Sequence, residues 1–263
     1  MSYSPNIESE PSPSEEELHF QEADFYALSE GLSRDAQYNE QRLVLRRKLG
    51  GLAKRFVSKN SEGKARRPKL GLDSRTSLHN PHAFNGNRVR RIWAYICRDK
   101  AEKGRLKRVV GADLAKDLDA SFRNAYLCVA VEAESIEVSF KIHQDAWMDG
   151  QNLKRRVDRD GLADCVSVLK GLEGFTLKLA DWKGEWPCGE MDGSKLKEFL
   201  GYYEPGTHSL TVERTWPAPR SQPAVREAMF GAGVPDALLA ELERLISLYR
   251  FAAWSKASDY LFG

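Results

Sequence analysis

Apolar residues recur at helical intervals in several stretches of the chain. The clearest stripe has apolar side chains three or four residues apart: Leu45, Leu49, Leu52 and Phe56. Arg47 and Lys54 fall on the opposite face, so the pattern predicts an amphipathic helix that begins near residue 42, although Gly50 and Gly51 weaken the helix propensity in its middle. Other helices are predicted over residues 15–30, 99–119, 150–172 and 193–202, and from Pro235 onward.

Two of these helices carry specific expectations. In the 99–119 segment the residues predicted to face inward are Leu106, Val109, Val110 and Leu114. In the 150–172 segment Asp160 and Gly161 mark a possible break, with an apolar side formed by Leu162, Cys165, Val166 and Leu169.

The clearest strand signal lies in residues 124–144. Its first half is apolar at successive positions from Tyr126 to Val131, which is typical of a strand that is covered on both faces. In its second half apolar residues alternate with Glu137, Ser139 and Lys141, which predicts one solvated face. The two halves predict an antiparallel hairpin.

Further strands are predicted over residues 70–78, 88–98, 175–179 and 208–214. The order of helices and strands around a hairpin favours an α+β fold, with a mainly antiparallel sheet, a central hairpin and flanking helices. Residues 1–14 are rich in Ser, Pro and Glu and predict a disordered acidic tail, followed by a single α+β domain over residues 15–263.

Charge is distributed unevenly along the chain, whose formal net charge is only +2. Residues 1–30 contain eight acidic and no basic side chains, whereas residues 31–110 contain 22 Lys and Arg against six Asp and Glu. Such a basic segment creates a local field that attracts phosphates or an acidic partner.

Composition limits the other classes of protein. The chain is 41% hydrophobic and 30% charged, with no apolar run long enough to cross a membrane and no signal-peptide pattern at its beginning. The four cysteines are widely spaced and include no metal-binding pair. We therefore expect a reduced, cytoplasmic protein without a membrane interaction, and the absence of nucleotide or metal motifs predicts no cofactor.

Two polar clusters are candidates for chemistry. The residues are His79 and His82 in a turn-rich segment, and His143 and Asp145 at the end of a predicted strand. Histidine with aspartate can bind a metal or transfer protons near neutral pH, so these residues are candidates for a metal-dependent hydrolase or nuclease. Roles in turns and helix caps are the alternative, and Asp149 and Asn152 are interpreted in that way.

The basic segment supports the leading functional hypothesis, a non-enzymatic protein that binds a polyanion such as nucleic acid, or an acidic protein. The candidate binding residues are Arg66, Arg67, Arg88, Arg90, Arg91 and Trp93. Arginines would contact phosphates, and Trp93 with Tyr95 would offer surfaces for base stacking. A purely solvated charged face is the alternative.

The chain resembles the YktB-like group of conserved bacterial proteins over about residues 20–255. The resemblance depends on short matches: Asp24-Phe25, Arg75-Thr76, Asn80-Pro81, Trp93, Ile142-His143, and Tyr249-Arg250-Phe251 with Trp254. The group's pattern also has basic and histidine residues ahead of the Arg-Thr pair that this chain lacks. The resemblance implies a compact α+β domain and carries no assigned activity.

Overall fold

A computed structural model of the chain describes residues 18–61, 70–78, 86–113, 115, 118–180 and 182–262. The strands are β1 (Leu72–Ser77), β2 (Arg91–Arg98), β3 (Tyr126–Glu132), β4 (Ser135–Ile142), β5 (Thr176–Leu179), β6 (Glu185–Pro187) and β7 (Leu210–Pro217). They form one antiparallel sheet in the order β1-β2-β3-β4-β7-β5-β6. The α+β class predicted from the sequence is therefore confirmed. The predicted tail over residues 1–14 lies outside the described residues.

The hairpin lies within the sheet as the sequence predicts. Ala133 and Glu134 form its two-residue turn, and the register pairs Glu132 with Ser135 and Tyr126 with Lys141. Leu127 is fully buried on the side of the sheet that the helices cover, so β3 is an internal strand with apolar side chains on both faces.

Helices cover one face of the sheet, called the inner face below. The helices in the described part of the chain are α1 (Glu22–Tyr26), α2 (Asn39–Ser61), α3 (Lys100–Val110), α4 (Trp147–Arg156), α5 (Leu162–Lys170), α6 (Gly193–Tyr202), α7 (Pro223–Glu227) and α8 (Val234–Ala252). Helix α2 packs on β1 and β2, and α8 packs on β3 and β4. The predicted stripe of α2 is buried from Leu45 to Phe56, and the helix continues through both central glycines.

Helix α3 is shorter than predicted. It ends at Val110 because Gly111 takes a positive φ of 88°, a conformation that favours glycine and stops the helical hydrogen bonding. Leu106 and Val110 are buried as expected, but Val109 is exposed, so its predicted inward position is wrong. Leu114 lies outside the described residues.

A π-helical turn, Val157–Gly161, joins α4 to α5 at the predicted break. The wider turn needs glycine at its end, since a Cβ on Gly161 would lie 2.9 Å from the carbonyl oxygen of Arg156 and 3.0 Å from the Phe251 ring. Of the predicted apolar side of this segment, Cys165 and Leu169 are buried and Leu162 and Val166 are partly buried. The chain therefore bends here without ending the helical path.

A buried ion pair ties the sheet to the C-terminal segment. Asp149 accepts hydrogen bonds from the Arg98 Nη2 at 2.5 Å, the Ala125 amide at 2.6 Å and the Trp254 amide at 2.8 Å. Asp149 and Asn152 are thus not simple cap residues, because both are buried in α4 and bind backbone groups far along the chain. None of the helices within the described ranges is long and apolar enough to cross a membrane.

Candidate functional site

The arginines predicted to bind phosphates occupy different surroundings. Arg66 and Arg67 lie outside the described residues, and Arg88 is exposed in the segment before β2. The exposed Arg90 pairs with Glu30, with 2.5 Å between Nη2 and Oε1. Arg91 begins β2 and points to the outer face of the sheet, opposite the helical layer, where Glu132 is its cross-strand neighbour.

Arg91 belongs to a network of charged side chains on that outer face. Its guanidinium pairs with Glu132 at 2.8 Å and also with Glu137, whose carboxylate accepts further bonds from Lys141 at 2.9 Å and from Ser139 at 2.6 Å. Burial alone would raise the pKa of Glu137, but Lys141, Arg91 and Ser139 outweigh it and lower this pKa to about 2. The charge of Arg91 is therefore matched within the protein.

The polar side of β4 is not the solvated face that its alternation predicts. Glu137 and Ser139 are buried, and Lys141 is mostly covered. Glu137 is covered because its partners Lys141 and Ser139 lie on the same strand and because Arg91 of β2 reaches across β3 to it. The alternation of residue types correctly predicts that Glu137, Ser139 and Lys141 share one face of β4. Its prediction that this face is solvated is wrong.

Trp93 lies at the centre of a stack along β2. The Cζ of Arg91 is 3.9 Å from the centre of its ring, the Nζ of Lys141 is 5.6 Å away, and the Tyr95 ring stacks nearly parallel at 5.8 Å. These are cation–π and offset-stacking geometries. Trp93 is only 8% exposed, so its ring faces other side chains and not an open surface.

A second group of exposed cations lies on α2 and on the edge strand β1. We call this surface the basic edge and define it by four residues: Arg46, Arg47, Lys54 and Arg75. Arg46 donates a hydrogen bond to Thr76 of β1 at 2.9 Å, so α2 runs beside the edge strand. Because neighbouring strand residues point to opposite faces, Arg75 projects on the outer side of the same strand.

The two sides of α2 differ in how their charges are matched. On the side facing α8, Arg55 lies 3.4 Å from Asp236 and Lys59 lies 3.5 Å from Glu243. In the part of the chain that the structure describes, no acidic side chain pairs with the four residues of the basic edge. Helical periodicity places Arg47 and Lys54 on the solvent side, but only the fold shows which cations α8 neutralises.

The histidine cluster is described only in part. His79 and His82 lie outside the described residues. The Nδ1 of His143 accepts a hydrogen bond from the Asp145 amide at 3.2 Å and lies 3.6 Å from its carboxylate, while the ring packs against Phe122. Burial lowers the pKa of His143, an effect that Asp145 opposes and Arg123 reinforces. The pair thus starts a short helical turn after β4, as the structural interpretation predicts.

The described residues form no metal site. Among the described residues, no group of three or more His, Cys, Asp or Glu side chains is placed to hold a metal ion. The four cysteines are buried and unpaired, and burial raises the pKa of Cys128 to about 12, which keeps its thiol protonated. The hydrolase or nuclease hypothesis stays a prediction that depends on His79 and His82.

A shallow pocket of ≈ 540 Å³ lies between the π-helical turn and α6. Its charged lining mixes both signs: Lys154, Asp158, Arg159, Asp160 and Lys197. The Nζ of Lys154 is already bound to the carbonyl oxygen of Tyr203 at 2.9 Å. Because basic and acidic side chains line the pocket together, its charge favours neither an anionic nor a cationic ligand.

No protein-family model matches the chain, and no curated protein sequence matches it. The resemblance to the YktB-like group therefore remains an expectation from the sequence, and the functional argument depends on the geometry described above.

Proposed function

We propose that the protein binds nucleic acid through the basic edge, by contacts with the phosphate backbone. The observation that carries the proposal is the contrast between the two sides of α2. Arg55 and Lys59 face acidic partners on α8, whereas Arg47 and Lys54 face solvent with no acidic partner in the described ranges. Unmatched exposed cations are the groups that release counterions when they meet phosphates.

The shape of the basic edge favours an extended polyanion. Arg47 and Lys54 are seven residues apart on one helix, which separates them by about 10 Å along its axis. Arg46 and Arg75 flank the edge strand on its two faces. A phosphate backbone lying along β1 would meet cations from the helix and from the strand. Such contacts position a strand without reading its bases, so we expect little sequence preference.

The test is the salt dependence of binding to a fluorescently labelled single-stranded oligonucleotide, measured by anisotropy. Four phosphate contacts predict a slope of log affinity against log salt of about −3 for a single strand. The double variant Arg47→Gln/Lys54→Gln should bind more weakly and lower the magnitude of this slope by about one to two.

A matched control exists on the same helix. Arg55→Gln/Lys59→Gln removes the same charge from the side that α8 neutralises, and should change affinity and slope much less. Equal losses in the two double variants, or no binding at low salt, would contradict the proposal. Binding of an acidic protein but of no nucleic acid would show that the partner is the other polyanion predicted from the sequence.

A further inference from the structure

Three buried hydrogen-bond donors on the outer face of β2 have no acceptor among the residues that the structure describes. They are the Nε of Arg91, the indole Nε1 of Trp93 and the hydroxyl of Tyr95. Trp93 is 8% exposed and Tyr95 is 3% exposed. Buried donors without partners cost free energy, and a native protein that keeps several of them together needs a reason.

The three donors belong to one continuous stack. Their residues alternate along β2, so all three side chains project from the same face. The Arg91 guanidinium lies over the Trp93 ring at 3.9 Å, and the Trp93 and Tyr95 rings are parallel within 8°. Arginine Nε and indole Nε1 can only donate, so whatever satisfies them must supply acceptor atoms.

The neighbouring edge strand adds a cation beside these donors. The register pairs Arg75 with Tyr95 and Ser77 with Trp93. Arg75 and Ser77 therefore lie on the same outer face as the two aromatic residues. Arg75 is exposed, and no ion pair joins it to an acidic group of the described chain. Asp73 lies two residues away on that face, where its carboxylate accepts the Ser74 amide at 2.8 Å.

We infer that the outer face of β1 and β2 holds a site for a phosphate group, with Tyr95 and Trp93 as buried donors and Arg75 as the cation at its rim. A phosphate offers several acceptor oxygens and a charge that Arg75 can match. This site shares Arg75 with the basic edge, but it differs from it in the buried donors of Trp93 and Tyr95, which do not belong to the basic edge.

The indole N–H of Trp93 is a direct probe of this site. In a two-dimensional NMR titration of the full chain with inorganic phosphate, at constant ionic strength maintained with chloride, the Trp93 indole signal should shift and saturate. Trp254 provides an internal control, because its indole Nε1 is also buried without a partner in the described ranges but lies in a different apolar cluster. Its signal should not move.

Variants separate the site from general anion effects. Tyr95→Phe removes one donor and should weaken phosphate binding about tenfold, the change expected for one hydrogen bond to a charged group. Tyr203→Phe is the matched control, since the Tyr203 hydroxyl is likewise buried with no partner among the described side chains and backbone, but packs against Gly150 on α4. Arg75→Gln, an exposed change with little risk to folding, should also weaken binding.

The source of the phosphate is resolved by a second titration. A single-stranded oligonucleotide with a terminal phosphate, compared with the same oligonucleotide lacking it, shows whether the site takes phosphate groups of nucleic acid or only the free ion. The inference is overturned if the Trp93 signal does not saturate with phosphate, if Trp254 shifts equally, or if Tyr95→Phe and Arg75→Gln leave the affinity unchanged.

Discussion

Replacing Asp149 by alanine tests the buried ion pair at the junction of the sheet, α4 and the C-terminal segment. Asp149 is 1% exposed and its partner Arg98 is 3% exposed, so solvent cannot replace the lost carboxylate. The change leaves the guanidinium without its counter-charge and leaves the amides of Ala125 and Trp254 without an acceptor. The arginine keeps bonds to Asn124 and to the Trp254 carbonyl oxygen.

The size of the effect follows from these contacts. Breaking a buried ion pair by removing one partner costs about 3–5 kcal/mol. Each orphaned buried amide adds about 1–3 kcal/mol, although relaxation will recover part of this sum. We therefore expect a loss of at least about 4 kcal/mol, a large share of the roughly 5–15 kcal/mol that stabilises a typical protein.

Urea unfolding followed by tryptophan fluorescence measures this loss, since Trp254 lies directly at the junction. Asp158→Ala removes an exposed carboxylate from the neighbouring π-helical turn and should change stability by no more than about 0.5 kcal/mol. Asp149→Asn keeps the volume and one acceptor, so it should fall between the two. A cost below about 1 kcal/mol for Asp149→Ala would refute the reasoning.

Three further predictions concern the outer face, the π-helical turn and helix α3. Because the surrounding Lys141, Arg91 and Ser139 lower the folded-state pKa of Glu137 from the ordinary glutamate value of 4.5 to about 2, its contribution of about 3 kcal/mol is fully present above pH 4.5 and is lost as the pH falls toward 2. Acid titration of stability should show this loss, and Glu137→Gln should remove it; an unchanged acid limb in that variant would contradict the assignment. Gly161→Ala should destabilise the protein by about 1–3 kcal/mol, because the new Cβ would press on the Arg156 carbonyl oxygen and the Phe251 ring. Gly104→Ala, in a helix with open space around the position, should instead stabilise by about 0.5–1 kcal/mol, and thermal or urea unfolding compares the two directly.

The sequence predicts the elements of this fold well where a single periodicity dominates. The apolar stripe of α2 and the turn between β3 and β4 follow from spacing alone. The three-residue strand β6 and the short helix α7 were not predicted, because segments of that length carry too few positions to show a period. Val109 shows a different limit. The pattern predicts a helix that continues past Val109, but α3 ends one residue later, before Gly111, and Val109 is exposed.

The candidate site depends on pairings that a linear pattern does not contain. Arg90 and Arg91 are adjacent in the chain, but one pairs with Glu30 near the beginning of the described chain and the other with glutamates of β3 and β4. Strand geometry alone indicates that neighbouring arginines cannot all serve one surface. Which acid each one meets depends on contacts across 40 or more residues, 60 in the case of Arg90 and 41 for Arg91 with Glu132.

The basic segment contains two kinds of cation: those paired with an acidic side chain and those without an acidic partner in the described ranges. Those whose strands or helices adjoin an acidic side chain form ion pairs within the fold, as with Arg91 beside Glu132 of β3 and Arg55 beside Asp236 of α8. Within the described part of the chain, the edge strand β1 has a sheet neighbour on one side only, and Arg75 on its outer face meets no acidic strand beyond it. Position in the sheet, and not the local density of Lys and Arg, therefore decides which positive charges have no acidic partner among the described residues. Charge reversal at Arg91 should accordingly damage stability first, whereas charge reversal at Lys54 should affect binding while leaving the unfolding free energy nearly unchanged.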